Sequence, residues 1–217
     1  MSYIAERRQE EKERRRAGIL DAAEAVAREA GWDALTMDQV ARRSRLSRAL
    51  LYVYFKDKAD LMFGVCERGL GILQQRFGEA IVRNRRGIDQ IEAMGRAYLA
   101  FSQEFPAYFD AMARFEAHSP DASAVQGCDA GCVQGGSRVQ ELMVMALRNG
   151  MADGSIRSDV GDPRVVAIVL WGFMFGIIQL AATKSNVLGQ SGISVRLLME
   201  QGLLMAGRSI VSATSSM

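Results

Sequence analysis

Apolar residues in this chain recur three and four positions apart, and almost nowhere two apart. That spacing is the helical period and excludes a sheet built on half-buried strands. Ile19, Ala23, Val26, Ala27 and Ala30 form one such stripe, and Gly31 is a natural stop. There is no extended alternation of β-branched residues, and no Asn-Gly or Asp-Gly hairpin between such runs. The expected fold class is all-α, with nine or ten helices. All three prolines stand where a helix can begin: Phe105-Pro106, Ser119-Pro120 and Asp162-Pro163. Thr36-Met37-Asp38-Gln39 reads as a capping box. Asp57 caps a long helix from Lys58 to about Val82, and further helices fit Ile88–Glu104 and Val195–Val211. Asn149-Gly150 and Asp153-Gly154 mark a turn after a helix ending near Leu147.

The chain has 217 residues, 49% hydrophobic and 24% charged, ample for a buried core. Three cysteines in this length exclude a disulfide scaffold and suit a reducing, cytoplasmic compartment. The opening MSYIAERRQEEKERRR lacks the apolar core of a signal peptide. The run VVAIVLWGFMFGII, Val165–Ile178, falls short of the roughly 20 apolar residues that a membrane span needs and reads as a buried helix.

The net charge of +2 hides an asymmetry. Arg42, Arg43, Arg45, Arg48, Lys56 and Lys58 are opposed only by Asp57 between positions 42 and 58, whereas residues 61–217 are neutral. A solvated helix face is the ordinary reading of a charge run. A basic patch on a neutral body is also what a phosphate-contacting module needs. The same segment, MDQVARRSRLSRALLYVYF, has helix-turn-helix spacing: Val40, Ala41, Leu46, Leu51 and Phe55 would pack two short helices at a steep angle. In that geometry the second helix enters the major groove of DNA. Ser47 is its N-cap, and Arg48, Ala49, Tyr52 and Val53 are its outward face. Arg48 can pair with a guanine edge or a phosphate, and Ala49 and Val53 can touch a thymine methyl. Tyr52, Tyr54, Lys56 and Lys58 can reach phosphates. Thr36, at a helix N-terminus, sits where backbone N–H groups attract an anion.

The run SRLSRALLYVYFKDKADL resembles the signature of the TetR family of bacterial transcription regulators. The shared elements are Ala41, Ser47, Leu51-Tyr52-Val53-Tyr54-Phe55 and Lys58, within residues 17–62; WGFMFGIIQL resembles the penultimate helix of many members. The resemblance implies residues 1–60 as an N-terminal extension plus DNA-binding domain, and 61–217 as a helical ligand-binding and dimerisation domain. Three departures stand out. Arg45 occupies a turn position that is usually Gly, Ala49-Leu50 replaces a frequent Gly-Thr, and Lys56 replaces a frequent Pro. A non-Gly residue in a left-handed turn costs about 1–2 kcal/mol.

One helix-turn-helix reads only about half a turn of groove, so two copies on half-sites about 34 Å apart, or multiples of it, are expected. Val165, Val169, Gly172 and Gly176 form one small-residue stripe, and Gly202, Ala206 and Ser209 another. The resemblance implies that these two helices pair with their symmetry mates. It also implies an inducer pocket for an apolar or aromatic small molecule. Its expected lining is Phe101, Phe105, Tyr108, Phe109, Met112, Phe115, His118, Met143, Trp171, Phe175 and Ile178, although such stripes are ordinarily plain core. Ligand would tilt the helix that begins at Lys58 and change the separation of the recognition helices.

Cys128 and Cys132 lie four apart and, with His118, could hold a soft metal or form a redox pair; buried thiols are the plainer reading. The glycines at 127, 131, 135 and 136 make that stretch a poor helix by propensity. No cofactor or metal ion is expected. An enzyme is a poor fit: His118 has no nucleophile motif nearby, and Gly69-Leu70-Gly71 lacks the third glycine of a dinucleotide loop. The remaining alternative is a helical DNA-binding or partner-recruiting protein without a small ligand.

Overall fold

The computed structural model describes residues 3–117 and 128–212. These form ten helices: α1 (Tyr3–Ala34), α2 (Met37–Arg43), α3 (Arg48–Tyr54), α4 (Lys58–Arg83), α5 (Gly87–Glu104), α6 (Pro106–Ala117), α7 (Cys128–Asp153), α8 (Pro163–Thr183), α9 (Ser185–Gln190) and α10 (Val195–Ile210). Among the described residues no strand forms, and the one bridge joins Ile156 to Val211.

Helix ends follow the local hydrogen-bonding chemistry. The Thr36 hydroxyl accepts from Gln39 N while the Gln39 side chain returns to Thr36 N, so the capping box closes. Ser47 accepts from Leu50 N, Asp57 from Asp60 N and Asp162 from Arg164 N. Pro106 and Pro163 open α6 and α8; Ser119-Pro120 lies outside the described residues. Gly31 adopts φ 78°, ψ 160° and breaks α1 where the stripe ended, leaving one further turn to Ala34.

Two compact units divide the chain: residues 1–70 with 105–135, and residues 71–104 with 136–217. In the first, Ile19, Leu20, Ala23, Val26, Trp32, Val40, Leu51 and Phe55 make the core of α1, α2 and α3. Helix α6 packs along α1. Trp32 Nε1 donates to Ala107 O, the Tyr108 hydroxyl donates to Glu24, and Arg114 grips both oxygens of Asp33.

In the second unit α10 packs on α8 and α5. The start of α5 is capped from far along the chain: Gly87 N donates to Asp153 and Ile88 N to Ser155 Oγ. Two expectations change here. Asn149-Gly150 is not a turn but lies within α7, which runs on to Asp153-Gly154. Gly150 serves close packing instead, because a Cβ there would meet Ile156 and one on Gly87 would meet the Gly150 backbone. Gly131, Gly135 and Gly136 are likewise helical despite poor propensity; Glu67 packs on Gly131 and Leu70 on Gly135, so tertiary contact overrides propensity.

Helix α8 is long and apolar enough in length and composition to cross a membrane. Its buried stripe is Val166, Ala167, Leu170, Met174, Ile178 and Ala181. Ile168 is more than half exposed, and Trp171 and Phe175, expected to line a pocket with Ile178, are half-buried.

Candidate nucleic-acid interface and effector region

The turn between α2 and α3 is tight. Leu46 N donates to Ala41 O at 2.9 Å, Ser44 Oγ donates to Val40 O, and Arg45 takes φ 57°. Arg45 therefore does occupy the left-handed position that a glycine would adopt freely. Val40, Leu51 and Phe55 are fully buried and Ala41 nearly so. This packing turns Arg48, Ala49, Tyr52 and Val53 outward, with Val53 73% exposed. Tyr54 is half-buried, at the core edge, and Thr36, Arg45, Ser47 and Lys56 are exposed. The outward residues of α3 project from a pair of short helices, each capped at its start by a side chain, Thr36 for α2 and Ser47 for α3.

Not every basic group there is unengaged. Arg43 pairs with Glu29 at 2.7 Å, consistent with a solvated role. Lys58 Nζ donates to the carbonyl of Asp33 at 2.9 Å, closing the end of α1 onto the start of α4. Its ammonium keeps two further donors for a phosphate. The Arg48 guanidinium sits 3.3 Å from Asp38 and lies over the Tyr52 ring, 5.6 Å from its centroid. Both Tyr52 and Asp38 favour its charged form. Asp38 was not singled out from the sequence, since a partner ten residues away on another helix leaves no periodic signal.

The aromatic residues of α6 are largely inward. Phe109 and Met112 are buried, and Phe115 meets Phe63 edge-on at 5.2 Å. Phe105 and Tyr108 form a second edge-on pair. Tyr108 is a strut between helices more than an open wall. Its hydroxyl is 2.6 Å from Glu24 and 3.4 Å from Arg68, which also binds Asp21 and Ala17 O. Burial, then Glu24, pushes its pKa up. In the second unit Phe101, Met143 and Ile178 are buried, while Trp171 and Phe175 stack tilted at 6.0 Å. An open groove of about 690 Å³ runs between α7 and α8, lined by Gln140, Val144, Met145, Arg148, Arg164 and Ile168 among others. His118 lies outside the described residues.

Cys66, Cys128 and Cys132 are all buried free thiols. Cys128 accepts from Arg16 at 3.4 Å, and Cys132 donates to Phe63 O at 3.1 Å. Burial, chiefly, pushes the Cys128 thiol up to about 12. A hydrogen bond with Cys66, and then burial, push Cys132 up as well. Thiols held protonated in this way are poor nucleophiles. Among the described residues no group of three His, Cys, Asp or Glu is placed to hold a metal ion.

On the two small-residue stripes, Val165, Val169 and Gly172 are exposed, and a Cβ at Gly172 or Gly176 would meet nothing. Gly202 differs: it faces Ile177 of α8 in the same chain, and its missing side chain is used there. Ala206 is half-buried and Ser209 exposed.

Fold and surface together define an all-helical regulator with a helix-turn-helix DNA-binding head. Residues 19–65 match the family model of bacterial regulatory proteins of the tetR family, and residues 91–201 match a tetracyclin repressor-like C-terminal domain. The chain belongs to the TetR family of transcriptional regulators. It is 26% identical over 186 residues to the HTH-type transcriptional repressor KstR of Mycobacterium tuberculosis, covering 85% of this chain and 80% of that protein. Among solved structures it resembles a Rhodococcus protein of unknown function, at TM-score 0.72 and 23% identity, over 91% of this chain and 95% of that one. It also resembles SmeT, repressor of a Stenotrophomonas maltophilia multidrug efflux pump, at TM-score 0.68 and 20% identity over 91% of each chain. SmeT has been solved with triclosan, at TM-score 0.66 and 22% identity, over 92% of each chain.

Proposed function

We propose that this chain is a homodimeric, cytoplasmic repressor that reads an operator through α3 and leaves it when an apolar or aromatic small molecule binds. Residues 1–60 carry the DNA contacts, and residues 61–217 carry ligand binding and dimerisation. The observation that carries the reading is the outward face of α3. Arg48, Ala49, Tyr52 and Val53 project from a helix capped by Ser47 and seated on Leu51 and Phe55. That is the placement needed to reach base edges in the major groove. Arg45, Lys56 and Lys58 supply phosphate contacts around it.

Support for a dimer comes from α8, where Val165, Ile168 and Val169 are each more than half exposed. A patch of this kind on a soluble protein marks an interaction surface. Support for an effector comes from the triclosan complex of SmeT, whose fold this chain shares. An effector acts only if it binds the DNA-incompetent state more tightly than the competent one.

Footprinting on duplex DNA flanking its own gene tests the proposal, repeated with apolar compounds. Two protected half-sites, with log K falling linearly against log salt, are expected. A monomer that ignores duplex DNA at low ionic strength would overturn it. Protection that no compound relieves would leave a DNA-binding protein without effector control.

A further inference from the structure

We infer that Asp38 is a specificity-determining positioning residue: from the first turn of α2 it holds the Arg48 guanidinium of α3 in the orientation that reads a base. The inference rests on the proposed DNA-reading role of α3. Nη1 of Arg48 lies 3.3 Å from Asp38 Oδ1 and 3.4 Å from Oδ2, centred on the carboxylate. Tyr52, one turn along α3, brings its ring beneath the guanidinium and its hydroxyl 3.5 Å from Nη2. The guanidinium is thus flanked from two helices, while the Arg48 side chain stays 62% exposed and the Asp38 side chain 47%.

Two physical consequences follow from this placement. A guanine edge is read by two parallel N–H groups of a plane held at fixed orientation, and an arginine offers five N–H groups in a rigid fork. Asp38 engages Nη1 and Tyr52 one N–H of Nη2, which leaves Nε–H and the other N–H of Nη2 for a base. The half-exposed carboxylate also brings a negative charge to the DNA-reading face, and like charges repel phosphates. On non-cognate DNA, where no guanine rewards Arg48, Asp38 keeps that side chain from settling on the nearest phosphate. Asp38 therefore costs affinity for DNA in general and returns it as discrimination. Acidic groups are scarce on this surface, and this one is opposite the residue that most needs orienting.

The test uses the full chain, a duplex enriched by the wild type from a random pool, and a scrambled duplex of equal length. Asp38→Asn keeps the side-chain shape and removes the charge. Expected is tighter binding to the scrambled duplex, with a salt slope steeper by about 1. The enriched-to-scrambled affinity ratio should fall about 5- to 100-fold, with preference relaxed at one base pair. Arg48→Ala should relax the same base pair, and Asp38→Asn with Arg48→Ala should go no further than Arg48→Ala alone. Asp38→Glu should restore part of the ratio. An unchanged ratio in Asp38→Asn overturns the inference alone. So does a double variant that loses the sum of the two single losses, or relaxation at a different base pair, since Asp38 would then act independently of Arg48. If the wild type enriches no duplex, the DNA-reading proposal fails first and this inference with it.

Discussion

The indole N–H of Trp32, in the last turn of α1, donates to the backbone carbonyl of Ala107 in α6 at 3.0 Å, and the Trp32 side chain is 1% exposed. Glu24–Tyr108 and Asp33–Arg114 fasten the same two helices. A displacement of α6 is therefore felt at the end of α1, against which Lys58 and the start of α4 are also tied. Trp32→Ala should cost about 3–5 kcal/mol through lost burial and the cavity left behind. Trp32→Phe, which keeps most of the ring but not the donor, should cost about 1–2 kcal/mol. Urea midpoints at constant m-value check both, and equal losses would show that packing around the ring contributes nothing beyond the hydrogen bond.

Arg45 is the one non-glycine residue with positive φ among the described residues. Arg45→Gly should relieve the left-handed strain and stabilise the fold by up to about 1 kcal/mol, the greater freedom of glycine in the unfolded chain offsetting part of the gain. The same change removes an exposed charge beside α3. The salt slope of DNA binding should fall by about 1, with affinity lowered on all sequences alike. Melting temperature and DNA affinity should thus move in opposite directions. A slope that does not change would remove Arg45 from the phosphate contacts.

What was legible in the sequence was short-range. The caps at Thr36, Ser47, Asp57 and Asp162 involve partners two or three residues away, and side-chain chemistry fixes them locally. The core of the helix-turn-helix was legible for the same reason. Asn149-Gly150 misled because a glycine needed for close approach looks identical to one needed for a turn. On α8 nearly every position is apolar, so the period carried little contrast. The buried stripe runs through Val166, Ala167, Leu170, Met174 and Ile178, so Trp171, expected to line a pocket with Ile178, is only half-buried. Pairs such as Asp38–Arg48 and Glu24–Tyr108 come from different helices, and no local pattern announces them.

Gly87 opens α5 against the α7 backbone, and a Cβ there would stand 2.0 Å from Gly150 N. Backbone on both sides cannot yield as a side-chain tip can. Gly87→Ala should part α5 from α7, strain the Asp153 and Ser155 caps, and cost about 3 kcal/mol or more. Gly150→Ala first meets the Ile156 side chain, whose tip can shift, and should cost less. Denaturation of the two variants side by side checks the order, and its reversal would contradict the packing described.

Val169 lies 61% exposed in the middle of the outward face of α8, beside Val165 and Gly172. In a two-fold interface the same patch meets itself, so one new charge appears twice across the axis. Val169→Glu should give a monomer at micromolar concentration by sedimentation, with its helix content intact. DNA affinity should fall by about 10²- to 10⁴-fold, because the half-sites are then engaged independently. A variant that stays dimeric would move the interface off this face of α8.

Asp162 caps α8, accepting from Arg164 N at 2.9 Å, and its carboxylate also pairs with the Arg164 side chain at 2.7 Å. The guanidinium and then the backbone N–H hold its pKa down, from 3.8 to about 2. A depressed carboxylate stabilises the fold fully above its unfolded pKa and loses that contribution as pH falls through its folded one. Asp162→Asn retains a capping oxygen but cannot ionise. The wild type should therefore melt above Asp162→Asn at neutral pH, with the gap narrowing below about pH 4 and closing near pH 2. Calorimetry of both proteins across that range isolates Asp162, since the other carboxylates titrate alike in the pair. A gap that persisted unchanged at pH 2 would mean that the cap acts through hydrogen bonding alone and that the charge on Asp162 adds nothing.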